Sequence, residues 1–186
     1  MKEQVKNCIA TLKKGGTILY PTDTVWGLGC DATNEAAVSK IYEIKKRAGS
    51  KSLIQLVDSL SMLRKYINKL PGNLESLLAQ ASKPTTVIYN DPVGLAPNAV
   101  SKDATVAIRI VRHDFCQELL KSFGKPIVST SANLSGQPTP KSFEEIDPVI
   151  LKLVDYVVDL PTTNKTVEPS RIIKIQRDNT IEVLRE

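Results

Sequence analysis

Polar and cationic side chains that could bind an anionic substrate gather in three short segments of this 186-residue sequence. The first segment, residues 21–29, reads Pro-Thr-Asp-Thr-Val-Trp-Gly-Leu-Gly and follows an apolar run at residues 17–20. A polar loop at the end of a buried strand can carry function because the scaffold holds it while its hydroxyls remain available. Hydroxyl-rich turns are equally common where they only satisfy their own backbone groups. The residues alone support binding and simple turn formation equally.

The second segment is the basic cluster Lys45-Lys46-Arg47, at the end of a predicted helix and before a polar loop that contains Lys51. A lysine and an arginine at the mouth of a pocket could hold phosphate oxygens, the arginine in bidentate fashion. Basic residues in the last turn of a helix also complement the helix dipole without any ligand. Considered alone, this cluster favours the simpler interpretation.

The third segment, residues 129–136, reads Ser-Thr-Ser-Ala-Asn-Leu-Ser-Gly and follows another apolar run. Its hydroxyls and amide could donate hydrogen bonds to a ligand. Ser131 lacks the G-x-S-x-G pattern of a nucleophilic serine. The one histidine, His113, lies too far along the chain to be assigned as its base. The segment therefore predicts binding rather than covalent catalysis.

Two nucleotide-binding fingerprints match only in part. Residues 27–32 have the letters G-x-G-x-x-A, but the glycines do not open a helix as a dinucleotide site requires. Residues 136–142 resemble a P-loop that lacks its second glycine and carries two prolines, which have no amide to offer phosphate. If the chain binds ATP, another arrangement must hold the phosphates.

Composition excludes several classes of protein. The hydrophobic fraction is 41%, the charged fraction is 24% and the formal net charge is +5, which is typical of a globular domain with anionic partners. Three scattered cysteines without a CxxC pair predict buried thiols, with no disulfide framework and no metal site. No apolar stretch is long enough for a bilayer and the N-terminus lacks a signal peptide, so we expect a cytoplasmic protein without membrane partners.

The apolar periodicity alternates between helix and strand along the whole chain. Strands are predicted at 17–20, 53–57, 86–89, 105–110, 127–129, 156–158, 172–175 and 181–184, and helices at 60–67, 74–80 and 115–123. Two further helices are expected, one with apolar residues Val5, Ile9 and Leu12 before Gly15-Gly16, and one capped by Thr33 or Asn34. This alternation predicts one α/β domain over residues 1–186, with helices on a central mixed sheet.

Taken together and in this order, the segments resemble the YrdC/Sua5/TsaC family. Its signature is K-x-R followed much later by S-x-N, here residues 45–47 and 131–133. The phrase at 21–29 and the strand Thr105-Val106-Ala107-Ile108-Arg109 are similar to two further family blocks. The resemblance implies a twisted open mixed sheet with flanking helices around a positively charged cavity, in the short, single-domain form of the family.

The resemblance also implies an activity. Such enzymes combine L-threonine, bicarbonate and ATP into threonylcarbamoyl adenylate and release pyrophosphate, a nucleotidyl transfer that serves threonylcarbamoylation of adenosine 37 in tRNA. Mg²⁺ is expected with the ATP phosphates because it neutralises charge on the leaving pyrophosphate. Downstream threonylcarbamoyl transferase proteins are the implied partners. The alternative is a non-catalytic module of the same fold that binds tRNA or double-stranded RNA.

The residue roles follow from the same resemblance. Lys45 and Arg47 are the implied catalytic residues. L-threonine would be held by Thr24, Arg109 and Ser131, with the Arg109 fork on the threonine carboxylate. The nucleotide would contact Lys45, Arg47, Lys51, Thr105, Asn133 and Ser170.

Overall fold

The computed structural model describes residues 1–46, 53–160, 168–178 and 180–186. In these ranges the strands are β1 (Ile18–Tyr20), β2 (Gly27–Asp31), β3 (Ile54–Val57), β4 (Thr85–Asn90), β5 (Thr105–Ile110), β6 (Ile127–Ser131), β7 (Tyr156–Val157), β8 (Arg171–Ile175) and β9 (Ile181–Arg185). The α-helices are α1 (Lys2–Lys13), α2 (Glu35–Ile44), α3 (Leu60–Leu63), α4 (Leu74–Gln80), α5 (Asp114–Phe123) and α6 (Pro148–Leu153), with a 3₁₀ turn at Pro97–Ala99.

All nine described strands join one sheet, in the order β7-β1-β2-β6-β3-β5-β4-β8-β9. Three pairs are parallel, namely β1 with β7, β3 with β5 and β4 with β8, and the remaining pairs are antiparallel. The prediction of a mixed sheet with helices on it is confirmed.

Helices α2, α3 and α4 begin where the sequence predicts. The Asn34 side chain accepts a hydrogen bond from the Ala37 N–H and caps α2, whose buried face includes Val38, Ile41 and Ile44. The first helix ends before Gly15, which has a φ of 70° that glycine adopts without strain. The helix predicted at 60–67 is shorter, because α3 ends at Leu63.

The glycine-rich run at 27–31 is a strand that the sequence does not predict. β2 pairs antiparallel with both β1 and β6, so its glycines lie in a sheet and not at the start of a helix, which confirms that this is no dinucleotide fingerprint. The fit is close, because a Cβ on Gly29 would lie 2.3 Å from the carbonyl oxygen of Val128. The pairing also carries β6 to Ser131, two residues beyond its predicted end.

The core divides between the two faces of the sheet. On one face, Val106 and Ile108 of β5 pack with residues of α3 and α4, among them Met62, Leu63 and Leu74. On the opposite face, α1 and α5 cover the end of the sheet near Tyr20, Leu56 and Ile127. Because side chains alternate along a strand, Ala107 and Arg109 point to this second face. Beyond the α1/α5 core, that face carries a cavity.

Two further predictions concern the cysteine thiols and membrane-spanning helices. Cys8, Cys30 and Cys116 are all free and buried, as predicted. Burial raises the pKa of the Cys8 thiol to about 12, so this group is a poor nucleophile. Among the described helices, none has both the length and the apolar character needed to cross a bilayer.

Candidate functional site

A cavity of about 400 Å³ lies on the face of the sheet beyond α1 and α5. Its floor is apolar and consists of Ile54, Ile88, Ala107 and Ile172, from four strands that are neighbours in the sheet. Its polar lining includes Thr24, Arg109, Ser131, Ser170 and Arg185. Four of these five residues are predicted site residues. The cavity therefore brings together side chains that are separated by more than half of the chain.

Arg109 is a buried cation held in one orientation. Its side chain is 4% exposed, and Nη2 donates to Oδ1 of Asp23 at 2.9 Å and to the hydroxyl of Thr24 at 3.2 Å. The second carboxylate oxygen of Asp23 accepts the backbone N–H of Arg112. The Nε of Arg109 is buried and has no hydrogen-bond partner in the described part of the chain. A guanidinium fixed on one side in this way is suited to receive a carboxylate on another.

In the loop after β1, one threonine hydroxyl stabilises the turn and another is available to a ligand. Thr22 donates to the carbonyl of Val25 at 2.7 Å and accepts the backbone N–H of Thr24 at 3.1 Å, so its hydroxyl stabilises the turn. The hydroxyl of Thr24 lies beside both Thr22 and Arg109 and lines the cavity. The turn thus presents Thr24 to a ligand next to the guanidinium.

Ser170 and Arg185 form the opposite part of the lining. Ser170 is 2% exposed, and its hydroxyl is 2.7 Å from the hydroxyl of Thr86. The carbonyl of Ser170 accepts two hydrogen bonds from Arg185, at 3.0 Å from Nε and 2.6 Å from Nη2. Burial and the nearby charge of Arg109 both lower the pKa of Arg185. Two guanidinium groups that repel each other create a place where an anion is stabilised.

Sequence reasoning missed Arg185. It lies at the end of β9, outside the quoted family segments, and no local spacing marks it as a binding residue. The signal that could have found it is the pairing of β8 with β9, which places Arg185 opposite Ile172 and beside Ser170. Long-range pairing of this kind is not readable from one sequence.

The K-x-R and S-x-N motifs meet through Lys45. The sequence predicts a phosphate contact for this lysine, whereas the structure buries it to 2% exposure and points its ammonium at two backbone carbonyls. Nζ donates to the carbonyl of Ser131 at 2.5 Å and to that of Asn133 at 2.6 Å. The amide nitrogen of Asn133 donates to the carbonyls of Leu134 and Gln137, and its amide oxygen is buried with no partner among the described residues.

Of three other predicted residues, the structure describes only Thr105, which does not line the cavity. Thr105 lies at the opposite end of β5 from Arg109, a strand distance of about 13 Å, and its hydroxyl donates to Asp103 at 2.8 Å. It lines a separate, open pocket with Asn90 and Lys174, so the structure does not place it at this site. Arg47 and Lys51 lie outside the described residues, and their roles stay predictions.

The lining favours binding and orientation over covalent chemistry. No cysteine or histidine is among the described residues that line the cavity. His113 lies just before α5, and burial lowers its pKa although Asp23 and Asp114 oppose that shift. In the described ranges, no three His, Cys, Asp or Glu side chains form a group that could hold a metal ion. What the cavity offers is fixed cations, hydroxyl groups and an apolar floor.

Comparisons with known proteins all point to one family. A family model that covers Sua5, YciO and YrdC, described as "Telomere recombination", matches residues 10–186. A protein of Xanthomonas euvesicatoria named threonylcarbamoyl-AMP synthase is 40% identical over 169 residues, which cover 88% of this chain and 89% of that protein. A protein of Stenotrophomonas maltophilia with the same name is 38% identical over 164 residues, covering 86% and 88%.

Solved structures share the fold. P. abyssi Sua5 in complex with L-threonine superposes with a TM-score of 0.86 at 26% identity, covering all of this chain and 54% of that one. E. coli YciO superposes with a TM-score of 0.85 at 25% identity, covering 100% of this chain and 90% of that one. The chain thus spans about half the length of the Sua5 chain and most of the length of YciO and of the two curated relatives.

Proposed function

Because the chain belongs to the Sua5/YciO/YrdC family, we propose that it is a threonylcarbamoyl-AMP synthase. The substrates would be L-threonine, bicarbonate and ATP, and the reaction is a nucleotidyl transfer that releases pyrophosphate. The observation that carries the proposal is the convergence of Arg109, Thr24 and Ser131 with Ser170 and Arg185 in one cavity. The names of its curated relatives support the same conclusion.

The chemistry needs no group of the protein to become covalently attached. The threonine amine and bicarbonate combine into a carbamate with loss of water. A carbamate oxygen then forms a bond to the α-phosphorus of ATP while the bond from that phosphorus to the bridging oxygen of pyrophosphate breaks. Bicarbonate, the carbamate and the ATP phosphates are all anionic, so preorganised cations and hydroxyl donors can supply much of the catalysis.

L-threonine would bind beside Arg109. Asp23 fixes Nη2 of Arg109 while Arg109 lines the cavity, so the oriented guanidinium suits the threonine carboxylate. Thr24 and Ser131 also line the cavity, and their hydroxyls can hold the polar atoms of the amino acid. The apolar floor can accept its methyl group.

The nucleotide would bind toward Ser170 and Arg185. Arg185 supplies a second cation in the cavity, which suits a phosphate oxygen. We assign Arg47 and Lys51 to the remaining phosphate charge, with Arg47 as the catalytic cation, because K-x-R is the family signature. We assign Asn133 to the nucleotide as well, because it belongs to the S-x-N signature.

Mg²⁺ would enter with ATP, held by its phosphates. The carboxylate nearest to Arg109 is that of Asp23, and it already accepts hydrogen bonds from Arg109 and the Arg112 backbone. Among the described residues the protein therefore offers the ion no dedicated set of ligands. When bound, Mg²⁺ neutralises charge on the departing pyrophosphate.

The chemistry of the product indicates which partner proteins must act next. Threonylcarbamoyl adenylate is a mixed anhydride, so a transferase must consume it, and we propose that its acceptor is adenosine 37 of tRNA in the cytoplasm. The alternative, an RNA-binding module without turnover, is not favoured by the names of the relatives.

Mass spectrometry of the products formed from ATP, bicarbonate and L-threonine tests the proposal. We expect threonylcarbamoyl-AMP and pyrophosphate in equal amounts, and none when any one substrate is omitted. Salt-dependent RNA binding with no adenylate product would instead establish the alternative.

One variant links the reaction to the cavity. Arg109→Lys keeps the charge and loses the planar fork, so we expect the KM for threonine to rise about tenfold or more. The matched control is Arg177→Lys, since Arg177 is 79% exposed and lies outside the cavity, and its kinetics should equal those of the wild type. An unchanged KM in Arg109→Lys would remove Arg109 from threonine binding.

A further inference from the structure

We propose that Lys45 is a positioning residue, which holds the loop of residues 131–135 in the shape that binds threonine, and that its ammonium is not itself a phosphate ligand. This inference rests on the proposed function, because it concerns how the same cavity is built. It assigns different parts to the two cations of the K-x-R motif.

Lys45 holds the loop at three alternate residues. Its ammonium donates to the carbonyls of Ser131 and Asn133, at 2.5 Å and 2.6 Å. Its own backbone carbonyl accepts the N–H of Ser135 at 2.9 Å. The side chain and the backbone of Lys45 therefore both bind the loop, and they fix its position relative to the end of α2.

The burial of Lys45 explains why these contacts are strong. An ammonium with 2% exposure has lost most of its hydration, and that loss is tolerable only when other dipoles replace the water. Backbone carbonyls carry the needed negative end of a dipole, and hydrogen bonds from a charged donor are about twice as strong as neutral ones. Drawing the ammonium away to a phosphate would leave both carbonyls without this donor.

The loop held by Lys45 forms part of the cavity wall. Ser131 is the last residue of β6 and lines the cavity, while the N–H of Ala132 donates to the carbonyl of Trp26 at 3.1 Å. Trp26 belongs to the same segment as Thr24, which contacts Arg109. A shift of the loop would therefore move Ser131 relative to Thr24 and Arg109, the groups assigned to threonine.

The experiment compares Lys45→Met, Lys45→Arg and the control Lys46→Met. Lys46 is the exposed neighbour of Lys45, so its replacement removes a charge from the same segment without touching the loop contacts. Threonine affinity is measured by calorimetry without nucleotide, kcat by pyrophosphate release, and loop order by amide hydrogen exchange of residues 131–137.

We expect Lys45→Met to weaken threonine binding about tenfold in the absence of nucleotide and to lower kcat about 100-fold, the effect of a misplacement of about 1 Å. Exchange should accelerate in residues 131–137 and stay unchanged in α5. Lys46→Met should match the wild type in all three measurements.

Lys45→Arg separates positioning from phosphate binding and remains informative if Lys45→Met does not fold. A guanidinium keeps the charge but is too broad for the two carbonyls, so positioning predicts weaker threonine binding without nucleotide. Threonine affinity equal to wild type in Lys45→Arg, with only ATP binding altered, would overturn the inference. If the wild-type chain neither binds threonine nor forms the adenylate, the proposed function itself fails, which is a separate result.

Discussion

Asp23 is the residue on which the orientation of Arg109 depends. Its carboxylate, 6% exposed, accepts Nη2 of Arg109 with one oxygen and the backbone N–H of Arg112 with the other. It therefore joins the loop after β1 to the end of β5 and gives the buried guanidinium its counter-charge. A buried ion pair adds little net stability, but the removal of one partner is costly because the other charge stays buried.

Asp23→Asn tests this contact. The amide keeps the shape and loses the charge, so we expect the free energy of unfolding to fall by about 3 kcal/mol and the KM for threonine to rise. Urea denaturation and the threonine dependence of pyrophosphate release give the two values. The control is Asp91→Asn, whose partner lies 4.0 Å away on the exposed surface and whose loss should cost less than about 0.5 kcal/mol. Equal stabilities for the two variants would contradict the role of Asp23.

The contrast between Asp23 and its neighbours shows what one sequence reveals about single residues. Motif resemblance singled out Thr24, Arg109, Ser131 and Ser170, and the structure places all four at one cavity. Asp23 received no role, because its importance comes from a partner 86 positions away. The same holds for Arg185, which reaches the cavity from the last strand. Motif spacing in the sequence can identify candidate binding residues, whereas the residues that they contact are known only from the folded sheet.

At the scale of elements, β2 is the piece that sequence patterns least indicate. Gly27 and Gly29 alternate in a five-residue strand, where glycine has low intrinsic β-propensity. The strand forms because β1 and β6 pair with it from both sides, and a neighbouring side chain, Tyr20, fills the space beside the glycines. Helix α6 also escapes prediction, being only six residues long. Longer periodic elements such as α2 and β5 are predicted correctly.

Gly29→Ala measures how tightly β2 fits. A Cβ there would lie 2.3 Å from the carbonyl oxygen of Val128 and 2.9 Å from the Tyr20 ring, so β2 and β6 would have to separate. We expect the free energy of unfolding to fall by about 1–3 kcal/mol, the usual cost of overpacking, as measured by urea denaturation. The matched control is Gly72→Ala, since a Cβ at Gly72 meets nothing within 4 Å and its stability should stay near that of the wild type. A Gly29→Ala protein as stable as this control would show that the strands can move apart without cost.

At the scale of the whole molecule, the cavity is a property of the sheet rather than of any one motif. Its floor comes from β3, β4, β5 and β8. Its polar lining includes residues of β6, of β9 and of the loop that follows β1. The strand order brings these segments together although they span most of the chain. Thr105 illustrates the same point in reverse, since it shares β5 with Arg109 and yet lies in a different pocket. A family resemblance can name residues, but their position along a strand decides which of them share a cavity.

We expect His113 to make the stability of the whole chain depend on pH. It is the only histidine, its Nδ1 is buried without a partner among the described residues, and burial lowers its pKa below the ordinary value of 6.5. Because the unfolded chain then binds a proton more readily than the folded one, stability is fully present above about pH 6.5 and falls as pH drops below it. His113→Gln lacks this proton, so urea denaturation at pH 7.5, 6.5 and 5.5 should show a smaller loss for the variant than for the wild type. Because every other titrating group is shared, the difference between the two curves isolates His113, and parallel curves over this range would contradict the assignment.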